Sequence, residues 1–270
     1  MTSSAAHALG RVAAFGAHAA VVFGSGLAGL PPGAAVKAKL GYEELGWPCT
    51  VVPGHRNVLQ LVELAAGAAG GLRLALACGR PHGYEGWPRA ELERPVRSLA
   101  AAGVLRFVLT NSCGALRPAV TPGDVVSCTA VVDLQAPPAG ARPLCLSVCS
   151  AAEAAAVAAA MAPAPARSGV YVAVAGPHFE TPAEVGWLAR HGDVVGMSAA
   201  PEVRSARAAG AACCLLALVV NRAAAVGSHE EVLAYGGRLA GTLAAGLGAV
   251  VTARWPGWSD AAVEDAPWTS

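Results

Sequence analysis

Short runs of Val, Leu, Ile-free apolar sequence alternate along the chain with Ala-rich stretches, and each run ends in glycine or polar residues. That alternation predicts an α/β domain, a sheet with helices packed on its faces. Strands are expected at Ala19 to Phe23, Leu72 to Cys78, Leu105 to Thr110, Asp124 to Ala130, Val170 to Ala175, Val194 to Met197 and Cys213 to Asn221. Helical spacing of apolar positions predicts helices at Arg89 to Ala102, Ser147 to Met161, Pro182 to His191, Pro201 to Ala209 and His229 to Thr252. The Pro, Ala and Gly of Ala136 to Pro143 read as a loop inside one domain spanning 1–253, and the Trp- and Pro-rich stretch 254–270 as a tail.

With 54% apolar residues in 270, the chain can bury the core of a single such domain. Its net charge of +1 comes from scattered acids and bases, with no basic run interleaved with aromatics, which argues against a nucleic-acid partner. The eight cysteines lie mostly in apolar runs and read as reduced and buried; Cys213 and Cys214, adjacent in a strand, should face opposite sides of the sheet. Their spacing does not suit zinc, so no metal site is expected. His18 and the glycines around it break the apolar stretch near the start that an export signal would need. No run reads as a membrane span, and the expectation is a cytoplasmic protein.

Three strand ends are rich in groups that suit an anion. The first, Gly24-Ser25-Gly26-Leu27-Ala28-Gly29, formally matches a dinucleotide-binding glycine pattern, but Pro31, Pro32 and Gly33 forbid the helix that pattern requires. Ser25 between glycines instead suits a compact nest for one phosphate. The second runs from Gly79 to Gly86: Arg80 offers a planar fork to an oxyanion, His82 a ring donor, and Glu85 an acceptor that can orient a neighbour. If extended, it sets Arg80, His82 and Tyr84 on one side. The third, Thr110 to Leu116, reads as a loop of small residues whose backbone can approach an anion.

These segments, followed in order by Phe179-Glu180-Thr181, Gly196-Met197-Ser198, Asn221 and His229-Glu230-Glu231-Val232-Leu233, resemble the trimeric-type purine nucleoside phosphorylase family from about Val21 to Val251. The resemblance implies a single domain with a central mixed, partly barrel-like sheet flanked by helices, and a homotrimer. It further implies that Ser25, Arg80, His82, Ser112 through its backbone, and Ser198 bind phosphate, with His55 as a gate beside them. Tyr84 and Met197 would meet the ribose hydroxyls, His229 the 5′-hydroxyl, and Phe179 the face of the base, while Glu180 and Asn221 read the purine. His7, His18 and His191 are assigned to surface or structure, and His178 to a supporting position.

The chemistry asks for these residue types. Cleaving a glycosidic bond develops positive charge on the sugar and negative charge on the departing purine, so both must be stabilised together. Phosphate beneath the sugar serves as anion and nucleophile, without a cofactor. Asn221 can accept from a protonated N7 and donate to a 6-oxo group while Glu180 accepts from N1–H. His82, Glu85, Asn221 and Glu180 are thus the candidate catalytic set, acting on 6-oxopurine ribo- or deoxyribonucleosides. The chain departs from the family in a shorter segment between Asp124 and Tyr171, with no aromatic residue in Ala136 to Pro143, and in a short connection from Asn221 to His229. Those departures keep two other readings: a phosphorylase for a 5′-modified or specialised-metabolite nucleoside, and a nucleoside-binding protein without turnover. An apolar residue at 229 and a carboxylate at 221 would favour a methylthio substrate; the chain has neither.

Overall fold

A computed structural model describes residues 2–64, 71–135, 144–224 and 229–252. The strands are β1 (Ala19–Val22), β2 (Ala34–Gly41), β3 (Val58–Leu64), β4 (Arg73–Cys78), β5 (Arg106–Ala115), β6 (Val125–Asp133), β7 (Leu144–Ser147), β8 (Ala166–Ala173), β9 (Val194–Gly196) and β10 (Ala212–Arg222). The helices are α1 (Ser3–Phe15), α2 (Arg89–Leu92), α3 (Arg94–Ala101), α4 (Ala151–Ala160), α5 (Pro182–Leu188), α6 (Ala200–Ala208) and α7 (His229–Thr252), with a 3-10 turn at Gly83–Glu85.

One sheet holds all ten strands, and part of it closes on itself. The ring runs β10-β6-β8-β9-β5 and returns to β10 through a parallel pairing with β5. From β5 the sheet continues outward through β1 and β4, both parallel, to the antiparallel β3 and β2. β7 adds to the outer side of β6. The expected mixed, partly barrel-like sheet flanked by helices is what forms.

The period of two along each strand sorts side chains between two cores. Ala20, Val22, Phe107, Leu109 and Cys213 pack with Tyr171 and Val203 in one. Ala19, Val21, Val108 and Cys214 pack with Leu243 and Leu247 of α7 in the other. Cys213 and Cys214 therefore face opposite sides, as their adjacency requires, and all eight cysteines are free thiols. α1, which the apolar pattern did not pick out, buries Ala5, Ala8 and Val12 and is capped by Thr2, whose side chain accepts from Ala5 N. Gly16 ends it in the left-handed conformation.

Several boundaries move for local reasons. The helix expected over Arg89 to Ala102 is two helices, divided at Glu93, with a proline in the first turn of α3. The helix expected from Ser147 starts at Ala151, because Ser150 and Glu153 form a capping box and Leu144–Ser147 pairs with β6. The expected loop at 110–116 is largely strand: β10 runs beside β5 as far as Ala115 and satisfies its backbone. Gly24 to Gly29 leads into β2 with no intervening helix. The loop at 136–143, the tail from 254, and Ala225, Val226, Gly227 and Ser228 of the connection to α7 lie outside the described residues. Among the described helices, none is long and apolar enough to cross a membrane.

Candidate active site

The chain segments that leave β1, β4, β8 and β9 converge with the last residues of β5 and β10 around one cavity of about 150 Å³. Its lining includes Ser25, Arg80, His82, Ser112 and Ser198, which were expected to take an anion. Tyr84, Phe179, Glu180, Met197 and Asn221 also line it. His55 stands outside the lining, its Nε2 3.0 Å from Ser25 Oγ. α7 begins at His229, whose side chain lies outside the described residues. His178 is exposed and absent from the lining; His7 is exposed, His18 accepts from the backbone of Arg73, and His191 packs on Trp187.

Arg80 is 2% exposed, so its charge must be met inside the protein. Its Nε donates to Glu202 at the start of α6, a residue the sequence offered only as one position of a helix. Nη1 donates to the Thr110 carbonyl at 2.6 Å and lies 3.5 Å from Ser198 Oγ. Nη2 is buried with no protein partner among the described residues. Two arms of the guanidinium are thereby held and the third remains available to a ligand.

His82 is oriented by Glu85. The backbone N of His82 donates to Glu85 Oε2 at 2.7 Å, and its Nδ1 lies 3.2 Å from the same oxygen. Burial would raise the Glu85 carboxyl, but hydrogen bonds from His82, from Thr50 and from the Val51 backbone outweigh it and bring the pKa down to about 2. An ionised carboxylate only accepts, so Nδ1 carries a proton and Nε2 is the ring's other polar atom. The His82 ring stacks on Tyr84 with centroids 4.8 Å apart, and its distance to the His55 ring is 5.3 Å. Tyr84 sits in the 3-10 turn and not in an extended segment; burial pushes its hydroxyl up to about 12, so it remains a neutral donor.

Two glycines make the close packing possible. A Cβ on Gly24 would come within 2.6 Å of Asn111 Cα, so the nest at Ser25 can lie directly on β5 only without one. Gly176 has φ +68°, and a side chain there would strike Met197 and reach within 3.0 Å of Tyr84. Ser112 Oγ donates to the Ser25 carbonyl at 3.0 Å, tying the two strand ends. Ala199, a non-glycine at φ 68°, follows Ser198 and begins the turn into α6. Strain of this kind is held only by surrounding structure. Here the fully buried Tyr171, whose hydroxyl accepts from Ser198 N at 3.3 Å, supplies some of it.

On the other side of the cavity, burial raises the Glu180 carboxyl above its ordinary value. Asn221 Nδ2 donates to the Arg222 carbonyl at 3.3 Å. Phe179 is 39% exposed beside them, an apolar ring open to a ligand. Asn111, also in the lining, is 1% exposed, and neither polar atom of its amide has a partner among the described residues. It lies inside the Thr110 to Leu116 segment, which the sequence offered for its backbone alone. Among the described residues, no three His, Cys, Asp or Glu side chains converge to hold a metal. The cavity can thus hold an oxyanion against Arg80, His82 and hydroxyls while a carboxyl and a carboxamide meet a polar ring.

Comparison with known proteins gives the same family from independent directions. Residues 20–252 match the family model described as phosphorylase superfamily. A purine nucleoside phosphorylase of Mycobacterium bovis is 37% identical over 247 residues, covering 86% of this chain and 88% of the relative. A crystal structure of a Schistosoma purine nucleoside phosphorylase in complex with hypoxanthine superposes with a TM-score of 0.74 at 27% identity, covering 92% of this chain and 95% of that one. A Schistosoma mansoni purine nucleoside phosphorylase in complex with inosine gives a TM-score of 0.73 at 27% identity, covering 92% and 94%.

Proposed function

Since the chain belongs to the phosphorylase superfamily and, within it, to the purine nucleoside phosphorylases, we propose that it catalyses reversible, phosphate-dependent cleavage of 6-oxopurine ribo- and deoxyribonucleosides. The products are the free base and the pentose 1-phosphate. The observation that supports this most is that Arg80, His82 and Ser198 line the same cavity as Glu180 and Asn221.

In this reading phosphate is held by Ser25, Arg80, His82, the Ser112 backbone and Ser198, with His55 at its entrance. The held anion faces the sugar from below and stabilises the charge that develops as the bond lengthens. Glu85 orients His82. Tyr84 and Met197 position the ribose, His229 meets the 5′-hydroxyl, and Phe179 stacks on the base. Asn221 stabilises the leaving purine by accepting from N7–H and donating to the 6-oxo group, while Glu180 accepts from N1–H. No metal or organic cofactor takes part. From the same resemblance the protein is a homotrimer.

The test is an absorbance assay with inosine. Release of hypoxanthine only when phosphate is present supports the reading; tight inosine binding without release in phosphate replaces it with a binding protein.

A further inference from the structure

Two buried polar groups of the cavity are left over by the protein's own hydrogen bonding, and they are neighbours through one backbone carbonyl. Arg80 Nη1 donates to Thr110 O, and among the described residues Arg80 Nη2 has no partner; the residue following Thr110 is Asn111, whose Oδ1 and Nδ2 have none there either. Asn111 is 1% exposed and lines the cavity. A buried amide without partners costs free energy in the folded protein, so its retention in the wall of a cavity points to a ligand that satisfies it.

Asn111 lies on the anion side. Gly24, which leads into Ser25, packs so closely on it that a Cβ there would stand 2.6 Å from Asn111 Cα and 3.1 Å from Ser112 N. Its strand neighbours Leu109 and Cys113, two residues away on either side, belong to the same core as Tyr171 and Ala217. Asn111 thus shares their face of β5, while Ser112 Oγ reaches the Ser25 carbonyl.

We propose that Asn111 is a direct phosphate ligand that reads the proton on the anion, with Nδ2 donating to one phosphate oxygen and Oδ1 accepting from the P–O–H group. The inference rests on the phosphorolytic reading of this site and deepens it. A guanidinium recognises any tetrahedral oxyanion by charge. An amide presenting both a donor and an acceptor recognises one that still carries a proton, because an acceptor facing an unprotonated oxygen is a repulsive, unpaired contact. Hydrogen phosphate and hydrogen arsenate carry that proton near neutral pH, and sulfate does not. Asn111 therefore makes the site selective for phosphate over sulfate, an anion of the same shape.

The experiment is calorimetric titration of the wild-type protein, Asn111→Leu and Asn111→Asp with phosphate, arsenate and sulfate at pH 7.5, alongside steady-state kinetics with inosine. Asn111→Leu removes both amide groups at similar volume. Phosphate and arsenate binding should weaken by about tenfold to a hundredfold, with sulfate binding changed by less than about threefold and the KM for inosine little altered. Asn111→Asp, nearly isosteric, keeps acceptors but loses the donor and should weaken all three anions; it carries the test if the Leu variant does not fold. Unchanged phosphate affinity, an equal loss for phosphate and sulfate in Asn111→Leu, or a rise confined to the inosine KM would overturn the proposal, the last making Asn111 a sugar ligand. Because anion binding is read without turnover, selective phosphate binding by a protein that does not cleave inosine would sink the enzymatic reading and leave this one standing.

Discussion

Arg80 and Glu202 stand 122 positions apart in the chain, yet the guanidinium Nε of one donates to the carboxylate of the other with both side chains almost wholly buried. The pair joins the strand end after β4 to the first turn of α6 and sets the direction of the arm that Arg80 turns to the cavity. Breaking a buried pair from one side leaves an uncompensated charge, which costs about 3–5 kcal/mol. Glu202→Ala should lower unfolding stability by that order in a urea titration and raise the KM for phosphate more than that for inosine. A variant as stable as the wild type would show that the pair does not hold Arg80.

Glu85 couples stability to pH. Its folded pKa of about 2 lies below its ordinary 4.5, so the folded state favours the ionised form. The stabilisation is fully present above pH 4.5 and is lost as the pH falls toward 2. Glu85→Gln should therefore be less stable than wild type at pH 7, and the gap should narrow as urea titrations are carried down through that window. A gap independent of pH would place the carboxylate's contribution elsewhere.

Glu180 has the opposite sign. Burial raises its carboxyl, so the ionised form that the proposed binding mode needs for accepting from N1–H is lost at a higher pH than for an ordinary glutamate. The acid limb of kcat/KM for inosine should fall above pH 4.5. Glu180→Gln should remove that limb and lower kcat/KM. An acid limb that persists unchanged in Glu180→Gln belongs to another group.

Much of the site was legible because its residues sit in short, ordered segments at strand ends, where the switch from apolar to polar sequence is abrupt. Ser25, Arg80, His82 and Tyr84 could be picked out that way, Glu180 came only through the family resemblance, and Cys213 and Cys214 could be assigned to opposite faces from adjacency alone. What escaped depends on distance in the chain. Glu202 looks like an ordinary first-turn acid until Arg80 folds against it. Asn111 looked like part of a loop because nothing local says that β10 will pair with β5 as far as Ala115. β2 and β3 were missed: their apolar positions are diluted by Lys37, Lys39, Gln60 and Glu63, and they sit at the antiparallel margin of the sheet. The ring closure of β5 with β10 is tertiary and has no local signature.

Substrate preference follows from the hydrogen-bonding inventory of the base subsite. In the proposed binding mode a 6-amino purine sets its amino donor against the Asn221 amide donor and leaves Glu180 without a proton to accept, at a cost of roughly 1–3 kcal/mol. Adenosine should therefore show a kcat/KM about fivefold to a hundredfold below inosine and guanosine. Equal efficiencies would remove Asn221 and Glu180 from base recognition.

The packing of Gly24 on β5 predicts a sharp steric effect. Gly24→Ala places a methyl within 2.6 Å of Asn111 Cα, against backbone that cannot swing aside. Overpacking of this kind costs about 1–3 kcal/mol. The variant should melt lower and bind phosphate more weakly, both read from thermal unfolding with and without phosphate. Retention of the full phosphate-induced stabilisation would mean that the Ser25 nest does not touch the anion.

The account turns on phosphate acting as the nucleophile, and the identity of the sugar product tests that most directly. Phosphorus NMR of the protein with inosine and inorganic phosphate should show ribose 1-phosphate appearing in step with hypoxanthine, and no such signal from Arg80→Ala at the same protein concentration. Hypoxanthine accompanied by free ribose, with the phosphate signal unchanged, would contradict it.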